Sequence, residues 1–267
     1  MSNVGLNAPR SRERGPVMNK NSNGYIIIYA TVMIVIVAVL LAFASLSLKD
    51  RQNANVRVEK QGAILSSIGL GIDADKADDK TAYIQQEYEK YITDSYAVDS
   101  RGNRIEGVDA FGLLDNLKAE FAAKAEDRKL PVFIARLDDG SQLAVFPVYG
   151  SGLWGPIWGY VALESDWNTV YGANFDHQGE TPGLGAEIAT AGFSGQFQGK
   201  KIFREGNFSG ISVLKGAGAS AGNENAIDAI SGGTITSRGV ESMISSSLGA
   251  YLPYINKMRT DLTSKTE

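Results

Sequence analysis

Residues 131–163 read PVFIARLDDGSQLAVFPVYGSGLWGPIWGYVAL and contain three short runs rich in β-branched and aromatic residues. The runs occupy residues 131–136, 142–149 and 158–163, and the Asp-Asp-Gly and Gly-Ser-Gly-Leu-Trp-Gly-Pro segments between them are typical of turns. We therefore predict three successive strands of an antiparallel sheet.

Helical spacing and helix-forming residues predict helices on both sides of this sheet. They are expected at residues 56–70, 81–96 and 111–129 before it, and at residues 185–198 and 236–254 after it, with a further strand at residues 210–215. In the last helix, apolar residues recur at three- and four-residue steps on one face: Val240, Met243, Ile244, Leu248 and Tyr251. The sequence thus predicts an α+β domain, with an antiparallel sheet flanked by helices.

An uncharged apolar run begins at Tyr25 and ends at Leu48. As a helix rising ~1.5 Å per residue, it would reach ~36 Å, enough to span a hydrocarbon core of ~30 Å. A cleaved signal peptide is the alternative, with Ala42-Phe43-Ala44 as its cleavage site, but the run is longer than a usual signal-peptide core. We predict a retained transmembrane helix at residues 25–48, preceded by a disordered tail at residues 1–24.

The charges bear on topology and on the class of ligand. Lys and Arg are equally numerous near the two ends of the span, so they do not orient it. Because a long domain after one N-terminal span is commonly exported, we expect a cytoplasmic tail and an extracytoplasmic domain. The chain carries net −4 and residues 1–24 carry net +3, which leaves −7 for residues 49–267. So acidic a domain is poorly suited to binding nucleic acid.

Two kinds of catalytic site fit the sequence poorly. The chain has no Cys and a single His, His177, so thiolate chemistry is excluded and no metal site is expected. Ser220 lies in a G-x-S-x-G pattern at residues 218–222, but the His of an α/β-hydrolase follows its nucleophile, whereas His177 precedes Ser220. A flexible small-residue loop explains the pattern better, and an anchored hydrolase stays an alternative.

Two segments carry the functional information. Residues 228–237, DAISGGTITS, place glycines and hydroxyl groups directly before the last helix. Glycines let a ligand approach the backbone, and a helix N-terminus offers free N–H groups suited to phosphate. The alternative is that these Ser and Thr residues only cap the helix. The second segment is HQGETPGLGAEI at residues 177–188.

These segments resemble motifs of a known family. DAISGGT resembles D-x-x-S-G-A-T, at which a flavin transferase attaches FMN through its phosphate to the Thr, with Gly233 where Ala is usual. ETPGLG at residues 180–185, PVYG at 147–150 and GLW at 152–154 look like stretches of the same group. From the anchor to the last helix, the chain resembles the C subunit of the Na+-translocating NADH:quinone oxidoreductases (Nqr). The alternative is the G subunit of the related, ferredoxin-linked Rnf complex.

The resemblance implies a covalent flavoprotein, with FMN in phosphoester linkage to Thr234. The protein would relay electrons within a complex that takes them from NADH, reduces ubiquinone and exports Na+, and catalysis in this chain would need no group beyond the flavin. The implied partners are the other Nqr subunits, an FMN transferase and the lipid of a bacterial inner membrane. A non-flavinylated anchored binding or scaffold domain remains a further alternative.

The resemblance also implies residue roles and domain limits. Asp228 and Ser231 would guide the transferase or order the turn, and Gly232 and Gly233 would let the phosphate reach the backbone. The other expected cofactor contacts are Glu180 and Thr181 by polar contacts, Gly183 by close approach, Leu184 on the ring face, Lys215 at the phosphate or ring N1, and Trp154 beside the ring. Residues 49–110 would form a juxtamembrane helical region and residues 111–267 the FMN-binding domain. Residues 1–17 have no counterpart in the family, and Met18 is a second candidate start.

Overall fold

The computed structural model describes residues 22–266, without the side chains of residues 263, 265 and 266. The chain divides into two compact units, Met1–Ala54 and Asn55–Glu267. The tail predicted at residues 1–24 lies outside the described residues except for its last three, and so does Met18.

Helix α1 (Asn23–Ser67) contains the predicted span. It is long and apolar enough to cross a membrane, and its apolar side chains between residues 26 and 48 are exposed. The helix continues past Leu48 into the predicted helix at 56–70, because residues 49–55 contain neither Gly nor Pro. The helix ends at Ser67. Just beyond it, the left-handed φ of 74° at Gly69 allows Leu70 N to donate to Leu65 O at 3.0 Å.

The second unit is built on a six-stranded antiparallel sheet with the order β2-β1-β3-β4-β5-β6. Its strands are β1 (Ile92–Val98), β2 (Arg104–Ile105), β3 (Leu130–Arg136), β4 (Gln142–Ser151), β5 (Pro156–Leu163) and β6 (Val170–His177). Strands β3, β4 and β5 confirm the three runs predicted from the sequence. The sheet takes strands from both sides of the division suggested at residue 110.

Further elements cover the sheet and connect its strands. The helices are α2 (Lys80–Tyr91), α3 (Ala110–Leu113), α4 (Leu117–Ala122), α5 (Ala191–Ser194) and α6 (Thr234–Thr266). The short strands are β7 (Phe203–Arg204) and β8 (Asn207–Phe208), which pair antiparallel, and β9 (Ser212–Leu214) and β10 (Ala226–Asp228), which pair parallel.

Each face of the sheet has its own core. On one face Phe146 and Val148 of β4 join the apolar side chains that recur on one face of the last predicted helix, now α6, and these are all at most 1% exposed. On the other face Val145 joins Ile64 and Leu65 from the end of α1. This arrangement of sheet and helices confirms the α+β prediction.

Three predicted helices are wrong in part. The helix predicted at 81–96 ends at Tyr91, because residues 92–98 alternate in exposure and pair with β3. The helices predicted at 111–129 and 185–198 are each divided into short helices and 3-10 turns. Strand β6 was not predicted, since VYGANFDH lacks the composition of a strand.

Candidate functional site

Three loops converge where α6 begins. They are the hairpin turn between β4 and β5 (residues 152–155), the turn after β6 (residues 181–184) and the turn before α6 (residues 230–233). Together they hold most of the residues that the sequence singled out.

The 181–184 turn has the geometry that its sequence favours. Leu184 N donates to Thr181 O at 3.1 Å, and Gly183, the third residue, has a left-handed φ of 74°. Pro182 stands second, where proline is common in type II turns, and the third position of such turns favours glycine. Thr181, Pro182 and Gly183 are all exposed.

The 230–233 turn repeats this design. Gly233 N donates to Ile230 O at 3.1 Å, and Gly232 has a φ of 76°. The Ser237 hydroxyl closes the turn, since it accepts from Ile230 N at 3.0 Å and donates to Gly233 O at 2.9 Å. Helix α6 therefore begins at Thr234, two residues before the predicted start.

Leu184 joins the two turns. A Cβ added to Gly232 would come within 2.6 Å of Leu184 Cδ2, and one added to Gly233 would come within 3.0 Å of Leu184 O. The two glycines of the motif thus let the 230–233 turn rest directly on Leu184.

The Glu180 carboxylate lies at the meeting point of the loops and is only 4% exposed. Its Oε2 accepts from Thr236 Oγ1 at 2.6 Å, and its Oε1 accepts from Trp154 N at 2.8 Å. The Glu180 N–H donates to His177 Nδ1 at 3.2 Å. Burial raises the pKa of Glu180, but the hydrogen bonds from Thr236 and from the backbone N–H groups of Trp154 and Leu153 outweigh it, so the pKa is lowered overall. The group is therefore ionised at neutral pH.

The hydroxyl groups before and within the first turn of α6 differ in availability. Thr236 is 1% exposed and donates to Glu180, so it is more than the helix cap that we expected, and Ser237 is fully buried. Thr234 is half-buried and Ser231 is exposed, and neither hydroxyl has a hydrogen bond within the part of the chain that the structure describes. In the first turn of α6, Thr234 thus differs from Thr236 and Ser237 in having a hydroxyl without a hydrogen bond among the described residues.

Backbone N–H groups face the same place. The first hydrogen bond of α6 runs from Ser237 N to Gly233 O at 2.9 Å. The N–H groups of residues 234–236 precede it and have no partner within the helix. They carry the positive end of the helix dipole, which suits an anionic group.

Apolar side chains are exposed on two of the loops and in the first turn of α6. Trp154 is 70% exposed and Ile235 is 61% exposed, and Leu153 and Leu184 are also exposed. Trp154 and Leu184 were expected at the cofactor from the sequence, whereas Leu153 and Ile235 were not, although an isoleucine among the hydroxyl residues of TITS was a visible signal. Such a surface suits a flat aromatic ligand.

Asp228 lies at the end of β10, and its carboxylate accepts the N–H groups of Gly218 and Ser220. These bonds, those to Ser220 first, lower its pKa, which makes it a weak base. It orders the loop that begins at Lys215, an exposed residue just after β9. Among the described residues, no hydrogen bond or ion pair joins Lys215 to the 230–233 turn.

The serine-hydrolase alternative does not fit this geometry. The loop at residues 218–222 leads into β10, whereas a nucleophile elbow leads into a helix. The backbone N–H of Ser220 donates to the Asp228 carboxylate, and His177 Nδ1 accepts the backbone N–H of Glu180.

Comparisons with known proteins identify relatives of this chain. A family model described as an FMN-binding domain matches residues 152–249, which include all three loops. The chain is 33% identical over 252 residues to the C subunit of Na(+)-translocating NADH-quinone reductase from Neisseria meningitidis serogroup B, covering 91% of this chain and 96% of that protein. It is 31% identical over 242 residues to the C subunit from Vibrio vulnificus, covering 84% and 91%.

A solved structure extends the comparison to the fold. The C subunit from Parabacteroides distasonis is 38% identical, with a TM-score of 0.66 over 78% of this chain and 96% of that one. The relation to the Rnf G subunit stays a prediction. With this identity over most of both lengths, the chain belongs to the family of the C subunits of Na(+)-translocating NADH-quinone reductase.

Proposed function

We propose that the chain is a membrane-anchored electron carrier whose FMN is linked through its phosphate to Thr234. One observation carries the proposal: in the first turn of α6, Thr236 and Ser237 are buried and hydrogen-bonded, whereas the Thr234 hydroxyl is unpaired within the described chain. Ser231 is also unpaired but lies before the turn glycines, outside the helix.

The residues present fit FMN. The free N–H groups at the start of α6 suit the phosphate, and the exposed faces of Trp154 and Leu184, with Leu153 and Ile235, suit the ring. Thr181 and Gly183 are exposed on the adjacent turn for a polar contact and a close approach. We also assign Lys215 to the phosphate or to ring N1 of FMN, as the resemblance implies. When bound, FMN supplies one-electron transfer, and the chain's own residues hold and orient it.

Attachment is assigned to a separate FMN transferase that uses FAD as donor. A threonine hydroxyl is a weak nucleophile without a base. Asp228 is the one carboxylate of the motif, and its hydrogen bonds to two backbone N–H groups leave it poorly suited to that task. Asp228 and Ser231 are then groups that order or present the turn.

The anchor places the carrier among its partners. Residues 25–48 would hold the chain in the bacterial inner membrane with the second unit on the extracytoplasmic side. Tethering keeps the effective concentration of a carrier high near fixed partners. NADH oxidation, ubiquinone reduction and Na+ export would belong to the assembled complex.

The test is the intact mass and in-gel fluorescence of the denatured chain from a host that contains the transferase. We expect a fluorescent band heavier by one FMN less water, with the added mass on the Thr234 peptide. Thr234→Ala should abolish both signals, and Ser231→Ala should retain them. An unmodified wild-type chain, or flavin retained in Thr234→Ala, would contradict the proposal.

A further inference from the structure

Glu180 is the one charged residue among the buried residues of the described chain. No Lys, Arg or His forms an ion pair with it among those residues. Its carboxylate instead accepts hydrogen bonds from Trp154 N in the hairpin turn, at 2.8 Å, and from the Thr236 hydroxyl in α6, at 2.6 Å. A buried charge costs much free energy unless it is hydrogen-bonded. Breaking either bond would leave the carboxylate without that compensation, so the two bonds hold the hairpin turn and the start of α6 in place.

The space around this carboxylate is closed by two glycines. A Cβ added to Gly152 would overlap Oε1, and one added to Gly185 would overlap Oε2 and the Thr236 hydroxyl. The carboxylate therefore occupies a slot that leaves no room for a side chain on either side. We call the two hydrogen bonds that the Glu180 carboxylate accepts, from Thr236 Oγ1 and from Trp154 N, the Glu180 staple.

The staple also sets the orientation of the first turn of α6. Successive helical residues are rotated by ~100°, so Thr234 and Thr236 project ~200° apart. With Thr236 held inward against Glu180, Thr234 is turned outward, in agreement with their different exposure.

We propose that Glu180 is a positioning residue, which fixes the start of α6 and the hairpin turn so that the Thr234 hydroxyl is presented to the transferase. This inference rests on the proposed function. In this proposal Glu180 acts through the two turns, whereas the resemblance implied a polar contact with the flavin, because Glu180 is only 4% exposed and its carboxylate accepts from Trp154 N and Thr236 Oγ1.

The first test measures the rate of flavin attachment to the full chain in detergent, with purified transferase and FAD, at a temperature where every variant is folded. Glu180→Gln and Thr236→Val should each slow attachment at least tenfold, and Thr236→Ser, which keeps the hydroxyl, should restore most of the rate. Glu120→Gln is the matched control, since Glu120 accepts Lys129 N at 2.9 Å outside the site. Attachment at the wild-type rate in both Glu180→Gln and Thr236→Val would overturn the inference.

A second readout needs no flavin. In a Thr234→Ala background, Glu180→Gln should speed amide hydrogen exchange at Trp154 at least tenfold, while Glu120→Gln should leave it unchanged. Unchanged exchange in Glu180→Gln would overturn the staple. Faster exchange with a wild-type chain that accepts no flavin would support the staple and contradict the proposed function instead.

Discussion

Gly185→Ala probes the slot around Glu180 with a single methyl group. The new Cβ would overlap Glu180 Oε2 and come within 2.5 Å of Thr236 Oγ1. Overfilling a packed site costs about 1–3 kcal/mol, and losing a hydrogen bond to a charged group costs about 1.5–3 kcal/mol. The lower backbone entropy of the unfolded alanine chain returns about 0.4–1 kcal/mol. The free energy of unfolding should therefore fall by about 2–5 kcal/mol.

Thermal unfolding of the full chain in detergent, followed by tryptophan emission, measures this change. All three tryptophans lie in the second unit, so the signal reports on that unit alone. For a unit of roughly 210 residues, 2 kcal/mol corresponds to a midpoint lower by about 4–8 °C. Gly179→Ala is the matched control on the same loop, because its Cβ would meet nothing within 4 Å. Equal midpoints for the two variants would refute the slot.

Three other outcomes are expected at this site. Thr236→Ala should lower the free energy of unfolding in urea by about 2–4 kcal/mol, through a lost charged hydrogen bond and a lost methyl group, whereas a mere cap would cost about 1 kcal/mol. Asp228→Asn should speed amide hydrogen exchange at least tenfold at Gly218 and Ser220, whose N–H groups its carboxylate accepts. Asp99 accepts two backbone N–H groups in a different loop, so Asp99→Asn should leave exchange at Gly218 and Ser220 unchanged. The pKa of Glu180 is lower in the folded chain than its ordinary value of 4.5, so ionised Glu180 stabilises the fold above pH 4.5, and this stabilisation is lost as the pH falls through the folded pKa. The free energy of unfolding, measured in urea at a series of pH values, should therefore decline below pH 4.5. Glu180→Gln should remove part of that decline.

The parts of the fold that could be predicted are those whose own residues favour one structure. Strands β3 to β5 are apolar runs between turn residues, so their limits were predicted to within two residues. Strand β6 contains Gly172 and Asn174 because it packs against the end of α1. A Cβ on Gly172 would come within 2.6 Å of Ser67 O, and Asn174 Nδ2 donates to Ser66 Oγ at 3.2 Å. A strand that must fit the end of α1 lacks the usual strand pattern.

The candidate site also has features that could be predicted from the sequence and one that could not. The turn glycines Gly183 and Gly232 could be predicted because local backbone geometry requires them. The pairing of Glu180 with Thr236 could not, since it joins residues 56 positions apart and depends on how β6 and α6 pack. Local sequence therefore suggested a helix cap at Thr236 where the structure has a buried hydrogen bond.

The proposed function gives a physical reason for the buried carboxylate of Glu180. Loops are usually fixed by burying their apolar side chains, but Trp154 and Ile235 must stay exposed if a flat ring is to lie on them. Apolar packing of these side chains then cannot hold the loops together. A charged group with two directional hydrogen bonds can hold them from beneath and leave the apolar surface free, and it sets orientation more strictly than apolar contact does. If FMN is bound as proposed, burying Glu180 leaves both the Thr234 hydroxyl and the exposed surface of Trp154 and Ile235 accessible to it.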